Sequence, residues 1–299
     1  MDRLDAMALF AATAAAGSFS AASRRLGVPL PTLSRKVAAL EAHLNTRLFA
    51  RSTRRLALTG AGETYLAACK QILEQVGEAE ALAAGEFQSP RGELVITAPI
   101  VFGRLHVLPV VNAFLVANPQ IVVRLLLADR NLPLVDEHID VALRIGPLQD
   151  SRLVAVRVGS VRRVVCASPA YLARRGRPRT PADLARHDIV SFESLPASQA
   201  WHFAPRTGRR TQTVAVRPRL TVNTAEAAVD AAIAGLGLTH VLSYQAAGAL
   251  AAGQLARVLG AYEPEPVPVN LLYTDPRRLP LKTRSFVDFA VPRLRKALA

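Results

Sequence analysis

The spacing of apolar side chains divides the chain into two regimes. Over residues 1–90 the pattern is helical. Leu4, Ala8 and Ala11 or Ala12 recur at helical intervals until Gly17 ends the first run. Ser20 predicts an N-cap for a short helix over 21–26, closed by Gly27. A third helix is predicted from about Pro29 to Leu44, with Leu33, Val37, Leu40 and Leu44 on one stripe. Two short helices joined by a glycine turn make a helix-turn-helix candidate. Thr59 predicts the N-cap of a long helix running to about Ala84, with Glu63 in its first turn. Along that helix Tyr65, Cys69, Ile72, Val76, Ala79 and Ala83 alternate at four- and three-residue steps, the seam of a two-stranded coiled coil. The seam predicts a dimer. An amphipathic helix packed within its own chain is the alternative.

After Gln88-Ser89-Pro90-Arg91-Gly92, which reads as a linker, the period changes. Strands are predicted over 94–98, 121–128, 141–145, 153–158, 161–167, 189–192, 201–203, 220–223 and 267–273, with a short one after Gly237. Helices are predicted over 103–118, 181–186, 225–234, 244–251 and 283–298. Strands alternating with helices predict an α/β fold, its sheet parallel or mixed and covered on both faces.

Charge sharpens this picture only locally. The 299 residues carry 37 Lys+Arg against 23 Asp+Glu, a formal charge of +14. Arginine supplies nearly all the cations, so the total alone says little about a partner. Its placement says more. Between residues 20 and 60 stand Arg24, Arg25, Arg35, Lys36, Arg47, Arg51, Arg54 and Arg55 against the single acid Glu41. Thr32, Ser34, Arg35 and Lys36 lie in the first turns of the third helix, outside its apolar stripe, where a recognition helix meets base edges and phosphates. Arg51-Ser52-Thr53-Arg54-Arg55, between Leu48-Phe49 and Leu56-Ala57-Leu58, reads as a basic wing hairpin. No apolar run approaches a membrane span and no secretory signal opens the chain, so a soluble cytoplasmic protein without a membrane partner is expected.

These segments carry a resemblance. Phe19-Ser20-Ala21-Ala22-Ser23-Arg24-Arg25-Leu26, Leu33-Ser34-Arg35, Leu40-Glu41, Arg47-Leu48-Phe49 and Leu58-Thr59-Gly60-Ala61-Gly62 resemble the N-terminal signature of LysR-type transcriptional regulators. Thr97-Ala98-Pro99, Phe102-Gly103-Arg104, the run 140–146, Cys166 to Leu172 and Ala234-Gly235-Leu236-Gly237 are similar to the effector half of their CrgA-like subgroup. The resemblance implies a winged helix-turn-helix over 1–60, a dimerising linker helix over 61–90, and an effector domain over 91–299. That domain would be periplasmic-binding-protein-like, one lobe spanning about 92–162 plus 267–299 and the other about 163–266. It implies double-stranded promoter DNA as partner, a homodimer assembling into a homotetramer, and RNA polymerase as a further partner if the protein activates. DNA contacts are then expected from Ser20, Leu30, Pro31, Thr32, Ser34, Arg35, Lys36, Arg51, Arg54 and Arg55. At Pro29-Leu30 the family usually carries serine and glutamine. Leu30 can touch a thymine methyl but cannot pair bidentately with adenine.

An effector pocket is expected where strand ends meet helix starts between the lobes. Thr97, Ala98, Pro99 and Phe102 fall at one such place, and Asn223 and Thr224 at another. Free backbone N–H groups and a helix dipole there would suit a carboxylate, with Arg144 near enough to pair, so a small organic or aromatic acid is expected. For Asn223 and Thr97 plain capping is an equal alternative, and for Arg144 a salt bridge. No cofactor is expected. The six histidines show no His-x-x-x-His spacing and the two cysteines no Cys-x-x-Cys, so no metal site is expected. An enzyme or a solute-binding protein built on the α/β half is the alternative. The enzyme lacks a Gly-x-Ser-x-Gly elbow, a phosphate loop or a complete dinucleotide fingerprint.

Overall fold

A computed structural model describes residues 2–50, 56–83, 89–134, 137–148, 153–192, 200–204, 211–274 and 279–298. They form two compact units, residues 1–89 and 90–299. In the first, α1 (Arg3–Ala16) is capped by Asp2, whose carboxylate accepts from the Leu4 and Asp5 N–H groups, and ends at left-handed Gly17. The next helix, α2 (Phe19–Leu26), starts earlier than expected. Ser18, not Ser20, is its N-cap and accepts from the Ala21 N–H, because Phe19 turns inward against Phe49 at 5.5 Å between ring centroids. Helix α3 (Leu30–His43) buries Leu33, Val37 and Leu40 as its stripe requires, and Pro29 precedes it without a side-chain cap.

Phe49–Ala50 (β1) and Ala57–Leu58 (β2) pair antiparallel, with Phe49 opposite Leu58. From there α4 (Gly60–Ala83) runs on, with the Gly62 N–H donating to Thr59 Oγ1 at 2.9 Å. One core serves the whole unit: Phe10, Ala22, Leu33, Leu40, Leu48 and Cys69 are all essentially inaccessible. The seam expected along α4 is therefore corrected at its start. Cys69 is fully buried inside its own unit and Tyr65 packs on Phe10 at 5.8 Å, whereas Ile72 and Ala79 stay exposed and Val76 half-exposed.

The second unit holds two five-stranded sheets and a two-stranded ribbon. Its strands are β3 (Gly92–Ala98), β4 (Ile121–Leu127), β5 (Val141–Ile145), β6 (Val154–Val161), β7 (Arg163–Ala167), β8 (Ile189–Phe192), β9 (Ala200–Phe203), β10 (Gln212–Ala215), β11 (Pro218–Val222), β12 (Leu238–Leu242), β13 (Ala256–Val258) and β14 (Val267–Tyr273). The first sheet has the order β4-β3-β5-β14-β6 and the second β11-β8-β12-β7-β13. In the first, β3 runs parallel to β4 and β5, while β14 is antiparallel to β5 and β6. Thus β14 returns to the first sheet after the whole second sheet has been built. The chain is a winged helical unit followed by a two-lobed α/β unit.

Strand β3, between β4 and β5, is buried on both faces from Leu94 to Ala98, Ile96 packing with helical Phe114 and Phe286 and Val95 with Leu132, Leu134 and Ile139 of the segment after β4. The first lobe packs Ile96, Phe114, Leu143, Leu271 and Phe286 together, and the second Tyr171, Ile189, Trp201, Phe203 and Leu238. The helix expected from Gly103 begins at Ile100 and runs to Ala117, with a π-helical turn over Gly103–Val107. It is long and apolar enough to cross a membrane, yet it buries Val110, Val111 and Phe114 against the sheet. A helix at Pro169–Arg175, capped by Ser168, and the short strands β10 and β13 were not foreseen. Residues 181–186 form a 3-10 helix.

In the second lobe His240 lies against Trp201 at 4.9 Å and Phe203 at 5.8 Å. Burial, with Arg163 and His202 nearby, lowers its pKa from 6.5 to about 3. The folded state thus refuses a proton that the unfolded chain accepts, so stability present above about pH 6.5 is lost as pH falls toward 3. We expect His240→Phe to flatten that acid loss by up to about 1.4 kcal/mol per pH unit, read from urea midpoints measured at successive pH values.

Candidate functional site

Two sites emerge, one in each unit. In the first, the exposed face of α3 carries Leu30, Pro31, Ser34 and Arg35, while Thr32 is half-buried. Leu30 is 42% exposed, open to an apolar contact. Lys36 forms an ion pair with Asp5 of α1, so its charge is partly used within the unit. Ser20 is exposed on the first turn of α2, and Arg24 and Arg25 flank it. Gly27 in a left-handed conformation makes the turn to α3, which Ser23 Oγ ties by donating to the Val28 carbonyl at 2.6 Å. Arg51, Arg54 and Arg55 lie outside the described residues, but the hairpin that would present them is formed at both its ends.

Glu41 is the functional residue that sequence reasoning passed over. The sequence offers it as the lone acid in a basic stretch and as part of the Leu40-Glu41 motif, with no role attached. Its Oε1 accepts from the Leu48 N–H at 2.7 Å and from the Phe49 N–H at 3.1 Å, so a carboxylate on α3 pins the root of the wing. Arg47 approaches the same carboxylate at 3.9 Å.

The second site is a cleft of about 790 Å³ between the two lobes. Of the residues expected there, Thr97, Ala98, Pro99 and Arg144 line it. Phe102 does not. It is fully buried beneath the wall, edge-on to Tyr244 at 5.5 Å. Asn223 is exposed and Thr224 caps the Ala225–Ile233 helix by accepting from the Ala227 N–H; neither lines the cleft. The expected anion sites at helix starts are filled from within. The Ile100 N–H donates to Asp129 Oδ1 at 3.1 Å, so the chain's own carboxylate occupies the start of the 100–117 helix. Thr97 Oγ1 donates to the Leu126 carbonyl at 2.9 Å, which leaves it only as an acceptor.

The cations that line the cleft are Arg130, Arg144 and Arg163. Arg144 Nη2 donates to the Leu132 carbonyl at 2.7 Å, not to a carboxylate as its alternative required. Arg163 opens β7 on the opposite lobe, beside Tyr244 and Gln245. Burial lowers the pKa of the Arg144 and Arg163 guanidinium groups, and neither has a carboxylate within 4 Å among the described residues. Desolvation raises the pKa of Asp129 despite the Ile100 hydrogen bond, with Glu226 adding to it, and burial likewise raises that of Tyr244. Phe192 and Leu242 add apolar wall. Such a cleft can hold a small anion with an apolar body. No cluster of three metal-ligating side chains occurs among the described residues.

Residues 4–63 match the bacterial regulatory helix-turn-helix protein model of the lysR family, and residues 87–295 match the LysR substrate binding domain. The chain belongs to the LysR family of transcriptional regulators. This LysR-type regulator is 36% identical over 281 residues to an HTH-type transcriptional regulator of Xanthomonas campestris pv. campestris, covering 93% of this chain and 81% of that protein. The full-length virulence activator AphB of Vibrio cholerae shares 29% identity and superposes with a TM-score of 0.62 over 97% of this chain and 98% of that one. CrgA of Neisseria meningitidis gives 27% and 0.61, covering 97% and 98%. As a LysR-type regulator the chain binds DNA through its first unit and an effector through its second.

Glu41→Ala leaves two buried wing N–H groups unpaired. We expect it to destabilise the protein by about 2 to 4 kcal/mol and to weaken operator binding, with Glu41→Gln recovering part of both. Chemical denaturation and gel-shift titration of the three proteins check this.

Proposed function

We propose that this regulator reads an inverted-repeat promoter site as a dimer and is controlled by a small organic acid, most favourably an aromatic one. Arg35, Ser34 and Leu30 on the open face of α3 supply base and phosphate contacts, with Thr32 at its edge and Lys36 contributing where Asp5 releases it. Arg51, Arg54 and Arg55 reach the backbone or minor groove from the wing. The observation that carries the effector class is the pair Arg144 and Arg163, one on each lobe, facing one cleft without a carboxylate within 4 Å among the described residues. An anion bridging them favours one lobe arrangement, and only unequal binding to two arrangements transmits a signal.

Assembly follows from uncovered apolar surface. Ile72, Val76 and Ala79 continue the α4 stripe beyond the part spent inside the unit, which supports dimerisation there. The first lobe leaves Val116 84% exposed and Val122 63% exposed, with Leu105 and Leu108 also open, which supports a second interface and a tetramer. The regulator then acts in the cytoplasm, altering polymerase access as the effector changes the assembly, and no chemical step on the effector is required.

Arg35→Ala is expected to weaken operator binding by about 1 to 3 kcal/mol while leaving effector affinity intact. Unchanged footprints at moderate salt would remove Arg35 from the interface. For the effector, calorimetry with a panel of aromatic and aliphatic acids beside their neutral amides is the test. Acids should bind, and Arg144→Gln or Arg163→Gln should lose about 10- to 100-fold, one charge-assisted hydrogen bond each. Amides binding as well as acids would overturn the acid reading.

A further inference from the structure

The surface of the second unit is divided by lobe. Of the large apolar side chains left open, Leu105, Leu108, Val116, Val122, Leu127 and Leu148 all belong to the first lobe; among the described residues the second lobe exposes none. Both lobes are basic overall, fourteen cations against eight carboxylates in residues 92–162 with 267–299, so what sets the second lobe apart is how its cations cluster. Residues 163–266 hold twelve arginines, no lysine and seven carboxylates.

Five of those arginines fall within residues 173–187, with Asp183 the only acid. All five are exposed. Hydrogen bonds tie two of them to each other and two more to neighbouring segments of the lobe. Arg175 Nη2 donates to the Arg186 carbonyl at 2.9 Å, which joins the end of the Pro169–Arg175 helix to the end of the 3-10 helix Pro181–Arg186. Arg174 Nη2 donates to the Gly235 carbonyl at 3.1 Å, and Arg177 Nη2 to the Arg257 carbonyl at 3.1 Å. Asp183 is occupied in accepting from the Arg179 and Thr180 N–H groups.

Each of these three guanidinium groups is held by a backbone carbonyl rather than neutralised by a carboxylate. One of five N–H donors is used in each such bond, so positive charge and most of the fork remain available on a side chain that is already positioned. The other exposed residues in the run are small: Ala173, Gly176, Thr180, Ala182 and Ala185. A protein partner would need an apolar centre, which this patch lacks, whereas a phosphate backbone needs only placed cations.

We propose that Arg174, Arg175, Arg177, Arg179 and Arg186 form a second, sequence-independent contact with duplex DNA, separate from the winged unit. The proposal rests on the reading of the chain as a DNA-binding regulator. Once the winged unit has bound its operator, phosphates of the same duplex are present at high effective concentration, so weak contacts suffice. The contact adds affinity and salt dependence but no base preference.

The test uses the full chain with two duplexes, the operator alone and the operator with long random flanks. Arg174, Arg177 and Arg179 are replaced together by Gln in one variant and by Lys in another, and log K is measured against log salt. The native protein should show a steeper slope on the long duplex. The Gln variant should lose about 3 from that slope for each protomer in contact, about 0.9 per phosphate contact, while binding the short duplex normally, and the Lys variant should keep the slope. Equal slopes for native and Gln proteins on the long duplex would overturn the proposal. So would an unchanged slope with loss of transcription by purified polymerase, which would assign the patch to an acidic protein surface. Failure of the native chain to bind the short operator would instead strike at the DNA-binding reading itself. Should the triple Gln variant fold poorly, Arg179→Gln alone, with an expected slope loss of about 1 for each protomer in contact, decides the question.

Discussion

A single residue, Arg162, separates the last residue of β6 in one sheet from the first residue of β7 in the other, and the geometry of the effector unit depends on how that residue is held. The Ser243 N–H donates to the Arg162 carbonyl at 2.7 Å, and the Arg162 N–H donates to Ser243 Oγ at 3.3 Å. This double link fixes the crossover against the start of the Ser243–Ala251 helix. Arg163, Tyr244 and Gln245 are thereby placed next to one another on the cleft wall. The lobes are joined by this crossover and by the return segment before β14, so an effector in the cleft lies beside a hydrogen-bonded joint rather than a soft interface.

Other cross-lobe contacts are lighter and can yield. Phe102 and His106 meet the Tyr244 ring at 5.5 and 5.8 Å, and Arg104 approaches Glu226 at 3.6 Å with both side chains largely exposed. An exposed pair of this kind contributes little, about 0 to 1 kcal/mol. The aromatic contacts carry more, Phe102 just before the π-helical turn that interrupts the 100–117 helix and His106 within it.

Much of this was legible in the chain. The α3 stripe and the alternation beyond residue 90 follow from side-chain period, since burial on one face imposes it, and the wing from a basic run set between two short apolar ones. The failures share a physical cause. Ser18 and Ser20 are equally good caps by composition, and Phe19 chooses between them only once Phe49 is in place. A heptad stripe records that a helix face is covered but not by what, so Tyr65 and Cys69 read as an intermolecular seam while packing inside their own unit. The start of the 100–117 helix looked open to a ligand because Asp129, which closes it, stands 29 residues away in sequence. Arg163 looked like an ordinary strand residue, and only the meeting of two lobes makes it a cleft cation. Strands as short as Ala256–Val258 give too few positions for a period to show.

The junction of β2 with α4 has a mechanical meaning. Thr59 Oγ1 donates to the Arg47 carbonyl at 2.7 Å while accepting from the Gly62 N–H, and the Thr59 N–H donates to the Leu48 carbonyl at 3.0 Å. Gly62 lies so close that a Cβ there would overlap the same carbonyl. Helix and wing root therefore share a clamp with no slack residue between them. Within this unit α4 behaves as a drive shaft: a twist applied along its length arrives at the wing as torque, carried by three hydrogen bonds.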